Sequence, residues 1–238
     1  MKLLFSPFRL GGITLRNRVV LAPTSTSFAT SDSKVTDKLI RYYEKRARGG
    51  AALLIVEPGV VSPRGKLFER SMGIYEDSAI ELLSELTGAV KKHGAAAVIQ
   101  LCHSGPKARS KFVGGDVLTP SGIPVYKGEP AHELSREEIL SIEEDFIKAA
   151  GRALKAGFDG VEVHAAHMYL LSSFLSPLTN CRTDEYGQTT AGRARIVTEI
   201  ISGIKKEFGE SLLVGVRFNG KEPDRGIDTQ GLGNILRQ

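Results

Sequence analysis

Residues 160–187, GVEVHAAHMYLLSSFLSPLTNCRTDEYG, combine a short buried strand with a cluster of ring side chains. Residues 161–163, Val-Glu-Val, predict the strand, which continues the apolar approach of residues 157–158, and His164, His167 and Tyr169 follow it directly. Three side chains that can donate hydrogen bonds therefore lie at the carboxyl end of one strand. Parallel α/β folds place their chemistry at that end of the sheet. We expect a functional site here, followed by a long polar loop.

Four more apolar runs have the length and composition of strands. They lack strict alternation of apolar and polar residues, which indicates strands covered on both faces, as in a parallel sheet. A segment of helical periodicity follows each run, and a last helix is expected from Thr229 to Leu236. The four runs lie at residues 19–22, 52–57, 95–101 and 212–218.

The order of these elements predicts a single α/β domain, residues 1–238, built from five β/α units. A doubly wound sheet also suits that order. However, residues 22–25 after the first strand read Ala-Pro-Thr-Ser and lack the GxGxxG turn of dinucleotide-binding sheets. We therefore expect a TIM (β/α)8 barrel that is incomplete. About five of its eight units are present, and the C-terminal part of the barrel is missing.

Short-range signals place several element boundaries. Thr36 is a candidate N-cap, and Ser135 with Glu138 forms the pattern of a capping box. A Gly-Gly pair at residues 11–12, between apolar segments, predicts a small hairpin before the main fold. Residues 102–134 are expected to form one long loop, and loops of this length in compact domains are usually functional.

Some charged and polar residues have simpler interpretations. Arg182 and Asp184 are expected to hold their loop as an ion pair rather than to contact a substrate. Residues 143–145, Glu-Glu-Asp, are expected to be a solvated helix face. His103 follows the strand at residues 95–101 and is interpreted as a loop residue without a role.

The composition describes an ordinary soluble enzyme. The chain has 238 residues, of which 41% are hydrophobic and 25% charged, and a net charge of +5. The basic residues are scattered among acids and form no stripe, so nucleic acid is not expected as a partner. The two cysteines lack CxxC spacing, and no apolar run approaches a membrane span. We expect a cytoplasmic protein without membrane contact.

The two histidines allow more than one interpretation. A single histidine is more often structural, but His164 and His167 together with Tyr169 favour a site. A zinc site is the alternative. Positions i and i+3 of an extended strand point to opposite faces, so this pair would bind zinc only if the segment turned into a helix. Arg217 has a structural alternative as well, since it could pair with Glu162 on the neighbouring strand.

Several motifs together resemble the Old Yellow Enzyme family of FMN-dependent ene-reductases and NADH:flavin oxidoreductases. The resemblance covers nearly the whole chain and is greatest to the bacterial branch that includes 2,4-dienoyl-CoA and enoate reductases. The motifs are LFSPF at 4–8, LRNRVV at 15–20, IQL at 99–101, HSG at 103–105, HAAH at 164–167, FLSPLTN at 174–180 and RTDEYG at 182–187.

The resemblance implies an enzyme in which NAD(P)H reduces FMN. The reduced flavin then reduces the C=C bond of a small α,β-unsaturated carbonyl substrate. His164 and His167 would hold the carbonyl, each donating one N–H, and Tyr169 would be the proton donor. The residues implied in cofactor binding are Pro23, Thr24, Ser25, Pro58, Gln100, His164 and Arg217.

The implied roles of the cofactor-binding residues differ. Gln100 would hydrogen-bond the flavin pyrimidine edge, and Arg217 would stabilise negative charge near N1 and O2. Ser25 places a hydroxyl where relatives of this branch often have a cysteine thiol. Pro58 stands where relatives usually have a small residue, so it is expected to crowd the flavin face.

The resemblance also implies three further strands, of which the last two carry the phosphate clamp for FMN. A rival hypothesis follows: a non-catalytic fragment that binds FMN weakly or acts only in association with another chain. A homo-oligomer is left open.

Overall fold

The computed structural model describes residues 2–222, 226–227 and 229–236. Its strands are β1 (Phe8–Leu10), β2 (Ile13–Leu15), β3 (Val20–Leu21), β4 (Leu53–Val60), β5 (Ala96–Cys102), β6 (Val117–Thr119), β7 (Ala131–Glu133), β8 (Gly160–Ala165) and β9 (Leu213–Phe218). Its α-helices are α1 (Asp37–Arg48), α2 (Ala79–Lys91), α3 (Ser110–Val113), α4 (Arg136–Lys155), α5 (Leu170–Leu175), α6 (Thr190–Phe208) and α7 (Thr229–Ile235).

Five strands form one parallel sheet in the order β3-β4-β5-β8-β9. Each strand after β3 is paired with the strand that precedes it among the five, and Val161 of β8 lies between Ile99 of β5 and Val214 of β9. The expected five β/α units are therefore confirmed. Because all five strands run the same way, their carboxyl ends meet at one edge, where the site residues lie.

The helices α1, α2, α4 and α6 cover one face of this sheet, each packed against the next. The expected caps are present. The Thr36 hydroxyl accepts a hydrogen bond from the Leu39 amide at 3.3 Å. Ser135 and Glu138 form the reciprocal capping box, with distances of 3.2 and 2.7 Å. No helix in the described part of the chain is long and apolar enough to cross a membrane.

The hairpin of β1 and β2 forms at residues 11–12 as expected, with Gly11 at a φ of 54°. It packs at the amino end of the strands, where Leu15 joins a separate apolar cluster with Leu53 and Val98. The hairpin therefore covers the end of the sheet opposite the site.

Three boundaries differ from the sequence-based expectation. Strand β4 continues past residue 57 to Val60, because a bulge between Val56 and Gly59 accommodates Pro58 within the ladder. The expected loop at 102–134 contains α3 and a short parallel pair, β6 and β7. The expected polar loop after Tyr169 begins as helix α5, all six of whose residues are buried.

Glu143 was expected on a solvated helix face, and that expectation is wrong. Its side chain is buried between α4 and α6, beside the carboxyl group of Glu199. Burial, together with this second carboxyl, raises the pKa of Glu143 to about 8. Tyr186 completes the cluster by donating its hydroxyl to Glu199 at 2.9 Å. Glu144 is exposed as expected, whereas Asp145 is half-buried.

Candidate functional site

A left-handed turn after β8 brings the two histidines together. His167 and Met168 both have a φ of 61°, a conformation that L-residues adopt at a cost. The turn carries the His167 ring back toward His164, so that Nδ1 of His167 lies 3.3 Å from Nε2 of His164. The ring planes are at 89° with centroids 5.0 Å apart. The extended geometry, in which the rings would point to opposite faces, is therefore absent.

Two polar side chains bind the amides of this turn. The His167 N–H donates to Oδ1 of Asn219 at 2.9 Å, and the Met168 N–H donates to the Ser172 hydroxyl oxygen at 3.3 Å. Asn219 Nδ2 donates to the same hydroxyl oxygen at 3.2 Å. Asn219 follows β9 and Ser172 belongs to α5, so two separate elements meet at the turn.

Tyr169 stands at the start of α5 and packs edge-on against the His164 ring, with centroids 4.8 Å apart and planes at 82°. Its side chain is buried, and burial raises the pKa of the phenol well above its ordinary value. Lys107 Nζ lies 5.2 Å from the Tyr169 ring centroid and 3.3 Å from the His167 carbonyl oxygen. A cation therefore faces the rim of the ring cluster.

Both imidazoles are neutral at pH 7. Burial, with smaller contributions from His167, Arg217 and Lys107, lowers the pKa of His164 to about 3. The pKa of His167 is also lowered, by burial and then by the charges of Arg217 and Lys107. A neutral imidazole has one N–H and one acceptor nitrogen.

The contact between the two rings reduces the number of hydrogen-bond donors and acceptors that the pair can offer to a ligand. Whichever ring donates, one N–H is used inside the pair, which leaves one donor and one acceptor for a ligand. Nδ1 of His164 is buried and has no partner among the described residues. The expectation that each ring donates to one carbonyl therefore requires the contact between the rings to open.

Gln100, Glu162, His164 and Arg217 share the inner face of the sheet. Gln100 lies opposite Glu162, and His164 lies opposite Arg217 in the register of the strands. Gln100 Nε2 donates to Oε1 of Glu162 at 2.7 Å. Burial raises the pKa of Glu162, while this hydrogen bond and the Arg217 charge oppose the shift. Arg217 acts on Glu162 through its charge, and the hydrogen-bond partner of the Glu162 carboxyl group is Gln100.

The loop after β3 approaches Tyr169 from the other side. Ser25, Pro58, Cys102 and Tyr169 line one cavity at the carboxyl ends of the strands. Glu57 holds the loop, since its carboxylate accepts the Thr26 N–H at 3.0 Å. The structure thus brings Ser25 and Pro58 to the ring cluster.

The remaining residues of the sequence-based set have other positions. Pro23 and Thr24 precede Ser25 in its loop and do not line the cavity beside Tyr169. His103 is a buried residue whose Nδ1 accepts the Gly105 N–H at 3.1 Å, so it is part of the scaffold beneath Tyr169 rather than a free loop residue.

Arg182 and Asp184 form the expected ion pair, at 2.5 Å. Arg182 also donates to the carbonyl oxygens of Pro120 and Leu134, and its side chain is buried. It therefore ties the segment after α5 to the long connection before α4. This arrangement supports the structural interpretation of Arg182.

Three residues near the rings were not identified from the sequence: Lys107, Ser172 and Asn219. Asn219 had a signal, because it follows the predicted strand at residues 212–218 and therefore lies at the functional edge. Lys107 and Ser172 had none, since one lies in a long connection and the other on an unpredicted helix. No group of three His, Cys, Asp or Glu side chains in the described ranges is arranged to hold a metal ion.

Comparison with known proteins places these observations in a family. Residues 3–229 match the model of the NADH:flavin oxidoreductase / NADH oxidase family. The chain is 40% identical over 223 residues to an NADPH dehydrogenase of Geobacillus thermodenitrificans, an alignment that covers 93% of this chain and 65% of the relative.

Two solved structures have the same fold. Old Yellow Enzyme from Pichia sp. AKU4542 superposes with a TM-score of 0.91 at 32% identity, covering 98% of this chain and 66% of that one. A 2-naphthoyl-CoA reductase complex superposes with a TM-score of 0.95 at 29% identity, covering 99% of this chain and 38% of that one. The (β/α)8 barrel class is thereby confirmed for the five units described.

The resemblance found in the motifs is confirmed by these matches, which imply FMN as cofactor and NAD(P)H as electron donor. The chain spans 65% of the length of the NADPH dehydrogenase that it matches. From the matched residues and the shared barrel architecture, we conclude that the chain belongs to the NADH:flavin oxidoreductase / NADH oxidase family.

Proposed function

We propose that this chain acts in an FMN-dependent, NAD(P)H-driven reduction of the C=C bond of α,β-unsaturated carbonyl compounds. The observation that carries the proposal is the contact of two neutral imidazoles with a buried tyrosine at the carboxyl edge of the sheet. The proposed location is cytoplasmic, and the proposed partner is a small unsaturated carbonyl compound.

The residues at this edge fit a flavin. Nδ1 of His164 is a buried polar atom without a partner in the described part of the protein. Arg217 lies beside it in the register of β8 and β9 and is half-buried. A permanent cation next to a free ring nitrogen suits the polar edge of a flavin, on which negative charge develops. Arg217, His164 and Gln100 would hold that edge, with Ser25 and Pro58 on the side of the β3 loop.

FMN, when bound, supplies the hydride transfer. The side chains polarise the substrate carbonyl group and supply the proton for its α-carbon. An imidazole N–H directed at the carbonyl oxygen stabilises the charge that develops there during reduction of the alkene. The charges of Arg217 and Lys107 help to keep both rings neutral, so the donor brings no full charge into the site.

Tyr169 has the properties of the proton source. Its buried phenol keeps its proton at neutral pH, because burial disfavours the phenolate. It lies against His164, so a substrate carbonyl held by the imidazoles would have the phenol nearby. We assign it the role of general acid toward the α-carbon of the substrate.

A second candidate is a non-catalytic chain that binds FMN weakly and acts in association with another chain. The outer strands of the sheet favour it. Among the residues that the structure describes, β3 and β9 each pair on one side only. Val20 is 46% exposed, and every residue of β9 is half-buried. Such edges offer backbone groups to a further strand.

Flavin binding separates the two candidates. Purified protein incubated with excess FMN and then desalted should keep the visible absorbance of a bound flavin. Protein that emerges colourless would favour the non-catalytic candidate.

The role of Tyr169 is tested in the two half-reactions of flavin-loaded protein. Tyr169→Phe should slow alkene reduction by about 10²-fold or more, typical for the loss of a general acid, while flavin reduction by NAD(P)H stays within a few-fold. Tyr42→Phe, which changes a tyrosine on α1, is the matched control and should alter neither rate. An equal loss in both half-reactions of Tyr169→Phe would exclude the proton-donor role.

A further inference from the structure

We propose that Asn219, together with Ser172, is a positioning residue that holds the left-handed turn at His167 and Met168 and so sets the contact between the two imidazoles. The catalytic consequence of this inference rests on the proposed function. The geometric claim does not, because it concerns only the turn and the rings.

The turn needs an external support. Two consecutive residues other than glycine adopt a φ of 61°, which L-residues avoid because Cβ crowds the following carbonyl oxygen. Burial supplies little of the support: His167 as a whole is an exposed residue although its ring is partly desolvated, and Met168 is 44% exposed. The polar contacts with the backbone of the turn are therefore the main restraints on it.

Those contacts take up both amides of the turn. Asn219 accepts the first N–H at 2.9 Å, and Ser172 accepts the second at 3.3 Å. Asn219 also donates to Ser172 at 3.2 Å, so the two acceptors hold each other in place. Lys107 adds a contact at 3.3 Å with the carbonyl of His167. Asn219 is the central member, because it contacts both the turn and the second acceptor.

The position of Asn219 links this support to the rest of the site. It stands two residues after Arg217, the residue opposite His164 in the sheet. The end of β9 thus places the Arg217 cation beside His164, and the residue that follows the strand, Asn219, holds the backbone amide of His167. Without that hydrogen bond, residues 167–168 would relax toward negative φ, and the His167 ring would move away from His164 into solvent.

Titration of the imidazoles by ¹⁵N NMR tests the inference without flavin or substrate. In the native protein both rings should titrate at a lower pH than an ordinary imidazole, in accord with their lowered pKa values. In Asn219→Ala the pKa of His167 should rise toward its ordinary value, because its ring loses the contact with the buried His164 ring and moves away from Arg217 and Lys107. Unchanged titration of both rings in Asn219→Ala would overturn the proposal.

Asn17→Ala is the matched control. Asn17 is also half-buried, accepts a backbone amide at 2.9 Å and donates to a carbonyl at 2.9 Å, far from the rings in the β2–β3 connection. It should lose comparable stability and leave both imidazole titrations unchanged. If Asn17→Ala shifted the pKa of His167 as much as Asn219→Ala does, the effect would be general loosening and the proposal would fail.

A second substitution tests the turn itself. Glycine adopts positive φ freely, so Met168→Gly combined with Asn219→Ala should return the His167 pKa toward the native value. A double variant that titrates like Asn219→Ala alone would show that the turn is not what Asn219 controls. Because no flavin is needed, failure here and failure of the proposed reductase activity are separate results.

Discussion

Replacing Glu143 by glutamine should make the protein more stable above pH 7 and leave its stability near pH 5 almost unchanged. Glu143 is buried between α4 and α6 beside the Glu199 carboxyl, and its pKa is raised to about 8. The folded protein therefore keeps a proton on this carboxyl at pH 7, whereas the unfolded chain releases it above the ordinary value of 4.5. A glutamine amide resembles the protonated carboxyl at every pH.

The sign and size of the effect follow from linkage. The contribution of a group with a raised pKa is fully present below 4.5, declines as pH rises, and is lost above about 8. Each pKa unit corresponds to about 1.4 kcal/mol, so the full range has an upper bound on the order of 4–5 kcal/mol. Because Glu199 shares the proton, we expect a smaller change, about 2–3 kcal/mol.

Urea denaturation at pH 5, 7 and 8.5 measures the free energy of unfolding of both proteins. Subtracting the two curves cancels the histidines and other groups that they share. Glu144→Gln, which changes a neighbouring exposed glutamate of the same helix, is the matched control and should not make the protein more stable above pH 7. Parallel pH profiles for native protein and Glu143→Gln would refute the assignment of a proton held at Glu143.

Two further predictions concern the scaffold around the rings. Iodoacetamide at pH 8 should modify the exposed Cys181 of the folded protein. Cys102 should not react, because it is buried and burial raises the pKa of its thiol. Mass spectrometry that shows two modified cysteines before denaturation would contradict this prediction. Gly105→Ala should lower the free energy of unfolding by about 3 kcal/mol or more, because its Cβ would lie 2.6 Å from the Leu170 Cα at a φ of 54°. Gly114→Ala, at a φ of 69° with open space around the Cβ, should lose only about 1 kcal/mol, and equal losses in urea titrations would remove the steric argument.

The sequence by itself determined those features that depend on neighbours along the chain. The strand order, the caps at Thr36 and Ser135, the hairpin at residues 11–12 and the ring cluster after β8 were all predicted and are all present. Their causes are local. Apolar periodicity determines the strands, a side-chain hydroxyl that accepts an amide three residues later determines each cap, and a glycine at positive φ allows the hairpin turn. The family was also readable, because its motifs are contiguous segments.

Tertiary structure alone decided how the ring cluster is arranged. His167 and Met168 take positive φ although neither is glycine, and the side chain that holds the first amide comes from Asn219, which lies 52 positions further along the chain. The sequence pattern predicts that Glu143 is a solvated acid, whereas in the folded protein α6 places the Glu199 carboxyl group beside it. The backbone conformation of the turn and the pKa of Glu143 are therefore both set by atoms that are distant in sequence. They act through burial and hydrogen bonds, which a local sequence pattern does not show.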